Sequence, residues 1–183
     1  MKWIEHRRHA TRTKPSPHLN AAGVRTARKV GESSGPFARV ITSPKKRAIE
    51  TAVAMGFAID ETIPLLKDIP EALNDFVRYD AGFEPFFEAL PRSADAERYA
   101  RKLRTLFERE LEKIPEGGRL LVVSHGGVVE WSAIACLPER ARRLGNPIDK
   151  CEAVELAWEN GMFTEVRTLR LSEYALSTLP DPV

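Results

Sequence analysis

Only two cysteines, Cys136 and Cys151, occur in the 183 residues. Two thiols without CxxC spacing exclude a disulfide framework and predict a reduced, cytoplasmic setting. Long apolar runs are also missing. No stretch approaches the length of a membrane span. Near Met1 the apolar residues are broken by Glu5, His6, Arg7 and Arg8, so no secretory segment is expected there. Repeats and low-complexity stretches are absent. Acid is lacking in one place above all. Residues 1–47 carry twelve Lys or Arg against Glu5 and Glu32, a net +10 inside a chain whose total is +2. That imbalance predicts an anionic partner near the N-terminal segment: nucleic acid, membrane or a small phosphate.

What is present reads as one α/β domain over residues 1–183. The length supports a single sizeable core, and 43% hydrophobic with 30% charged residues is ordinary for a soluble globular chain. Lys2–Arg7 predicts a short strand ending at Arg8-His9, followed by a loop with Pro15 and Pro17. Asn20 predicts an N-cap for a helix over Ala21–Gly31. Arg39–Thr42 predicts a buried strand. Ser43-Pro44 then predicts a cap and first turn for a helix reaching Met55. Residues 57–92, with four prolines and the aromatics Phe76, Tyr79, Phe83, Phe86 and Phe87, read as a cap-like insertion of short helices. That aromatic set predicts core packing, with substrate access as the alternative.

The spacing of Tyr99, Leu103, Leu106, Phe107, Leu111 and Ile114 predicts a long amphipathic helix over Ala94–Ile114. Leu120–Val123 predicts a buried central strand, and a helix over Val128–Leu137 follows. Ala153–Trp158 and Phe163–Leu171, joined through Asn160-Gly161, predict a hairpin. The tail to Val183 reads as irregular. Alternating strands and helices imply a three-layer α/β/α sandwich with a mostly parallel central sheet.

Three strand ends carry polar residues: Arg8-His9, Ser43 leading to Arg47, and Ser124-His125. Ligands of open α/β sheets bind at the carboxyl ends of strands, so these point to one site built from three segments. Guanidinium groups grip phosphate with paired, planar hydrogen bonds. A neutral imidazole among them could attack phosphorus and form a phosphohistidine, splitting one hard step into two. Arginines and a second histidine would carry the charge stabilisation, so no metal or cofactor is required. A zinc site from His6, His9 and His125 lacks thiolate or carboxylate partners at ligand spacing. Lys45-Lys46-Arg47 has no accompanying nucleic-acid motif.

Four ordered segments resemble the histidine phosphatase superfamily, the phosphoglycerate-mutase-like family. Arg8-His9-Ala10 is similar to its RHG signature. Leu19–Gly23 resembles the LTxxG helix start. Ser43–Ala52 resembles SPxxRAxxTA, the most specific piece, and Val122–Gly127 matches a VSHGG segment. The resemblance spans roughly residues 2–170. It implies His9 as the phosphorylated nucleophile, with Arg8, Arg47 and His125 completing the phosphate pocket. Arg12 and the Gly126 N–H are further candidate phosphate ligands. The family's proton donor is usually a Glu; here Leu66-Lys67-Asp68 falls at that place, making Asp68 the candidate acid and Glu71 the alternative. Ala10 departs from the usual Gly, and Glu5-His6 from an aliphatic pair. His6 reads as a strand residue pointing away from the site and His18 as a loop residue. The HD motif of the acid-phosphatase branch is absent, with Gly126 in place of its Asp.

The expected activity is a metal-independent phosphatase acting on a phosphorylated small molecule or phosphoprotein, with no nucleic-acid or membrane partner. The alternatives are a phosphoglycerate-mutase-type phosphotransferase and a catalytically weak phosphate-binding module. An exposed edge strand would allow a homodimer. Lys45 and Lys46 are expected on the rim of the pocket.

Overall fold

The structure is a computed structural model that describes residues 1–174; the predicted irregular tail lies mostly outside these residues. Six strands form one mixed sheet: β1 (Lys2–Arg8), β2 (Arg39–Thr42), β3 (Glu61–Thr62), β4 (Arg119–Ser124), β5 (Ala153–Glu159) and β6 (Met162–Leu169). Their order across the sheet is β3-β2-β4-β1-β5-β6. The first four strands run parallel; β5 pairs antiparallel with β1, and β6 antiparallel with β5. The hairpin turns at Asn160 and Gly161, which adopt φ of 52° and 80°. Two positive φ angles are what a tight hairpin with right-handed strand twist requires, and Asn-Gly tolerates them.

β4 shows why the sheet is covered on both sides. Its apolar run has no polar alternation because each face meets a different helical layer. Leu120 and Val122 pack with α4 (Ala94–Glu112), α5 (Val128–Cys136) and the segment before α4. Leu121 and Val123 pack with α1 (Ala21–Glu32) and α2 (Lys46–Ala54). α1 starts as its sequence predicts: the Asn20 side chain accepts from Gly23 N at 2.8 Å, satisfying one orphan donor of the first turn. Ser93 does the same for α4. The resulting three-layer α/β/α arrangement is the predicted fold class.

Three local expectations need correction. Ser43 does not cap α2; the helix begins at Lys46, after Lys45, which makes no side-chain cap bond. The Ser43 hydroxyl is instead held by His125 at 2.7 Å, so tertiary contact overrides the capping preference. The second hairpin strand stops at Leu169, and a 3-10 turn occupies Leu171–Tyr174. Residues 57–92 contain, besides 3-10 turns and α3 (Glu84–Ala89), the two-residue edge strand β3. It was invisible in sequence because Glu61-Thr62 is too short for a period and both residues are exposed. Phe83 and Phe86 enter the core, whereas Phe76 and Tyr79 stay exposed. Beyond these lies the four-residue helix α6 (Pro138–Ala141). Among the described residues no helix is long and apolar enough to cross a membrane.

Candidate active site

Parallel pairing brings the three polar strand ends together. Arg8 registers with Ser124, and Thr42 with Val123, so β1, β2 and β4 finish side by side. Their next residues are fixed by backbone bonds: His9 N donates to Ser124 O, and Ser43 N to Val123 O, each at 2.9 Å. The His9 and His125 rings consequently lie 5.2 Å apart, tilted by 60°.

His9 Nδ1 lies 2.7 Å from the carbonyl oxygen of Ala10, which places the ring proton there and leaves a lone pair on Nε2. Arg47 Nε donates to that nitrogen at 3.0 Å. Burial pulls the His9 pKa down to about 3, aided by the charges of Lys150, Arg47 and Arg8 and opposed by the Ala10 bond. The ring is neutral at physiological pH. His125 is held down to about 2 by burial first, then by Arg47, His9, Lys45 and His6. Ser43 Oγ accepts from Lys45 N at 3.3 Å. Its proton can therefore point to His125 Nε2, leaving the ring proton on Nδ1, which has no partner among the described residues.

Arg8 reaches the same place with Nη1 anchored on Ile148 O at 2.7 Å, while its buried Nε has no acceptor among the described residues. Gly126 makes room for it: a Cβ there would come within 2.9 Å of Arg8 Cζ. Arg12 is tied to Ser16 O at 2.8 Å, yet its charge still bears on Arg47. Ala10, in place of glycine, fits without strain in a buried position where its N–H donates to Thr51 Oγ1 at 2.9 Å.

Asp68 and Glu71 both line a cavity of about 210 Å³ together with His125, Gly126, Asn74 and Tyr79. The Asp68 carboxylate is 58% exposed and salt-bridged to Lys45. Tyr99 Oη pins the turn behind it by donating to Asp68 O and Leu65 O at 3.4 Å. Glu71 opens a 3-10 turn and is exposed.

His6 is buried in the layer beneath the site. Its Nδ1 bonds Ser132 Oγ at 2.7 Å and its Nε2 bonds Ser124 Oγ at 2.6 Å. His18 is exposed and bonds Glu50. Among the described residues no cluster of His, Cys, Asp and Glu could hold a metal ion.

Sequence reasoning missed two residues here. Lys150 is half-buried near His9, Arg8, Arg47 and Arg12; in sequence it is an ordinary loop lysine. Glu130 is 2% exposed and accepts from Gly127 N at 2.7 Å and Ile148 N at 3.0 Å. Burial raises its pKa. A lone acid inside the apolar helix Val128–Cys136 was the signal that could have found it.

The sequence model of the histidine phosphatase superfamily (branch 1) matches residues 2–169. The chain belongs to this superfamily. No curated protein sequence matches it. Among solved structures it is similar to a phosphoserine phosphatase from Entamoeba histolytica in complex with 3-phosphoglyceric acid. Sequence identity is 17%, the TM-score is 0.65, and the match covers 93% of this chain and 99% of that one. It is also similar to a phosphoglycerate mutase from Bacillus anthracis, at 14% identity and a TM-score of 0.64, covering 94% and 95%. At these identities the likeness establishes a shared fold. Members of the superfamily are phosphatases or mutases, which makes a phosphatase or phosphotransferase the coarse class of this chain.

Proposed function

We propose that this histidine phosphatase superfamily chain is a metal-independent phosphatase that hydrolyses phosphomonoesters, free or on protein, through a phosphohistidine on His9. The observation that carries this reading is the neutral His9 ring, with its Nε2 lone pair directed at Arg47 inside a group of cations. A protonated imidazole could not attack, whereas this one is kept neutral by its surroundings.

In the proposed reaction, phosphoryl oxygens replace His9 as the acceptor of Arg47 and also take bonds from Arg8 and Gly126 N. His125 supplies its Nδ1–H. His9 Nε2 attacks phosphorus, and the bond from phosphorus to the ester oxygen breaks. Asp68, entering this step as the carboxylic acid and released from Lys45, gives its proton to the leaving alkoxide. Water then attacks the phosphorus of the phosphohistidine. Asp68 accepts the water's proton, and His9 leaves as the neutral ring. Charge accumulating on the phosphoryl oxygens is met by fixed donors, which is the main requirement of phosphoryl transfer.

One observation favours a second reading, a catalytically weak phosphate-binding module. Asp68 is exposed and paired with Lys45 rather than held in an apolar setting that would keep a carboxyl protonated. Brief exposure to p-nitrophenyl phosphate in EDTA, followed by mass spectrometry, tests both. Acid-labile phosphate on His9 and release of p-nitrophenol are expected, both lost in His9→Ala. With an alkyl phosphate, whose alkoxide needs the proton, Asp68→Asn should slow turnover about a hundredfold, with Glu71→Gln near wild type. Tight phosphate binding with neither label nor turnover would establish the module. Turnover without label would overturn the phosphohistidine.

A further inference from the structure

The loop from Gly145 to Glu152 joins α6 to β5 and is tied to the site at several points. Arg8 N donates to Glu152 O at 2.9 Å, and Cys151 N lies 3.2 Å from Arg8 O and 3.3 Å from His9 O. Arg8 Nη1 holds Ile148 O, buried Glu130 holds Ile148 N, and Arg7 Nη1 donates to Cys151 O. Cys151 adopts φ of 64°, a left-handed conformation that a non-glycine residue keeps only when its surroundings enforce it. Lys150 is therefore carried on a strap fastened directly to the backbone of Arg8 and His9.

The strap presents an ammonium with no hydrogen-bond or ion-pair partner among the described residues. Only its backbone N–H is engaged, with Asp149 Oδ1 at 2.6 Å. The charged and titratable groups that bear on it are Arg8, Arg12 and His9 from β1 and its loop, Arg47 from α2, and Asp149 from the strap itself. Four cations thus converge with one neighbouring acid. Holding a lysine beside these cations is unfavourable by itself and is offset by a bound anion.

We propose that Lys150 is a phosphoryl-binding residue of this site, supplied by the strap between α6 and β5. The inference rests on the phosphatase reading and adds a ligand to its pocket. A consequence follows for pH. Burial and the neighbouring guanidinium groups bring Lys150 down to about 8, with Asp149 opposing them. A bound anion favours the protonated ammonium, so affinity is full below that pH and falls above it. Nearby His9 and His125 titrate far below this range, and Cys151 is pushed up to about 11.

Tungstate is a suitable probe because it stays a dianion from pH 6.5 to 9.5. Calorimetric titration of the full chain at constant ionic strength should show wild-type affinity falling as pH rises through about 8. Lys150→Met should bind about tenfold to a hundredfold more weakly at pH 7, with a flat profile. Lys150→Arg, which keeps its charge, should still bind at pH 9.5; this separates lost charge from a disturbed strap. A Lys150→Met variant with wild-type affinity and profile would overturn the proposal alone. A wild type that neither binds tungstate nor labels His9 would overturn the phosphatase reading and this inference with it.

Discussion

Arg7 and Arg8 are neighbours in β1, yet they serve two opposite arrangements of buried charge. Arg7 is fully buried, donates to Glu5 Oε1 from Nε at 3.0 Å, and is followed around the sheet by further matched pairs. Arg119 Nη2 reaches both Glu5 and Glu155 at 3.1 Å, and Arg167 Nε reaches Glu155 at 2.6 Å. Arg8 projects instead toward Arg47, Arg12 and Lys150, where Asp149 lies beside the cations and Asp68 is paired with Lys45. In the first cluster every arginine is paired with a carboxylate. The second leaves its donors open, which is a stability cost in the free protein and an attraction for an anion. Alternation along one strand is enough to separate them, since successive side chains point to opposite faces.

Removing Arg7 tests the closed cluster hardest. Arg7→Met leaves Glu5 buried with a weaker partner set and should destabilise the fold by about 3–5 kcal/mol in urea unfolding. A Glu5→Met/Arg7→Met double variant should recover most of that loss. If the double variant were no better than the single, the cluster would not be held by charge matching. In the open cluster the order of effects reverses. Arg47→Met should lower kcat/KM for p-nitrophenyl phosphate by roughly a hundredfold to a thousandfold. Its thermal midpoint should match or exceed that of the wild type, because one repelling cation is gone. A large drop in stability would break the distinction between the two regions.

The smallest effect concerns His6, buried against Ser124, Ser132 and Phe107. Burial holds it down to about 3 in the fold, against its ordinary value of 6.5. Between those values the unfolded chain binds a proton that the folded chain does not. Stability is therefore full above about pH 6.5 and declines as pH falls through it. One such histidine corresponds to about 2 kcal/mol at pH 5. His9 and His125 are held as low and add similar shares, so His6→Asn should remove about a third of the stability lost between pH 7 and pH 5. An unchanged slope would mean that His6 is protonated inside the fold.

Much of this arrangement was legible in the sequence because it is encoded locally. The apolar run Leu120–Val123 reads as a buried central strand, and β4 is one, covered on both faces. Asn20 announced a helix start, and the residues after three strands announced a site. Acidic scarcity over residues 1–47 sharpened that expectation, although most of those cations lie outside the pocket. Arg25 and Arg28 are simply exposed on α1, and Lys45 is paired with Asp68. Ser43 was misread because a hydroxyl before Pro44 has the same signature whether it caps a helix or holds His125. β3 was missed because its register comes wholly from β2.

By itself, then, the sequence carried the α/β class and the family resemblance, and it marked His9, Arg8, Arg47 and His125 as candidate site residues. Tertiary structure decided which charges are matched and which are left open. It paired Arg7 with Glu5 and left Arg8 Nε without an acceptor among the described residues, and it brought Lys150 near His9 across some 140 positions of chain. The reason is physical. Strand and helix propensities act over a few residues, whereas desolvation and Coulomb interactions depend on distances that only the folded sheet defines.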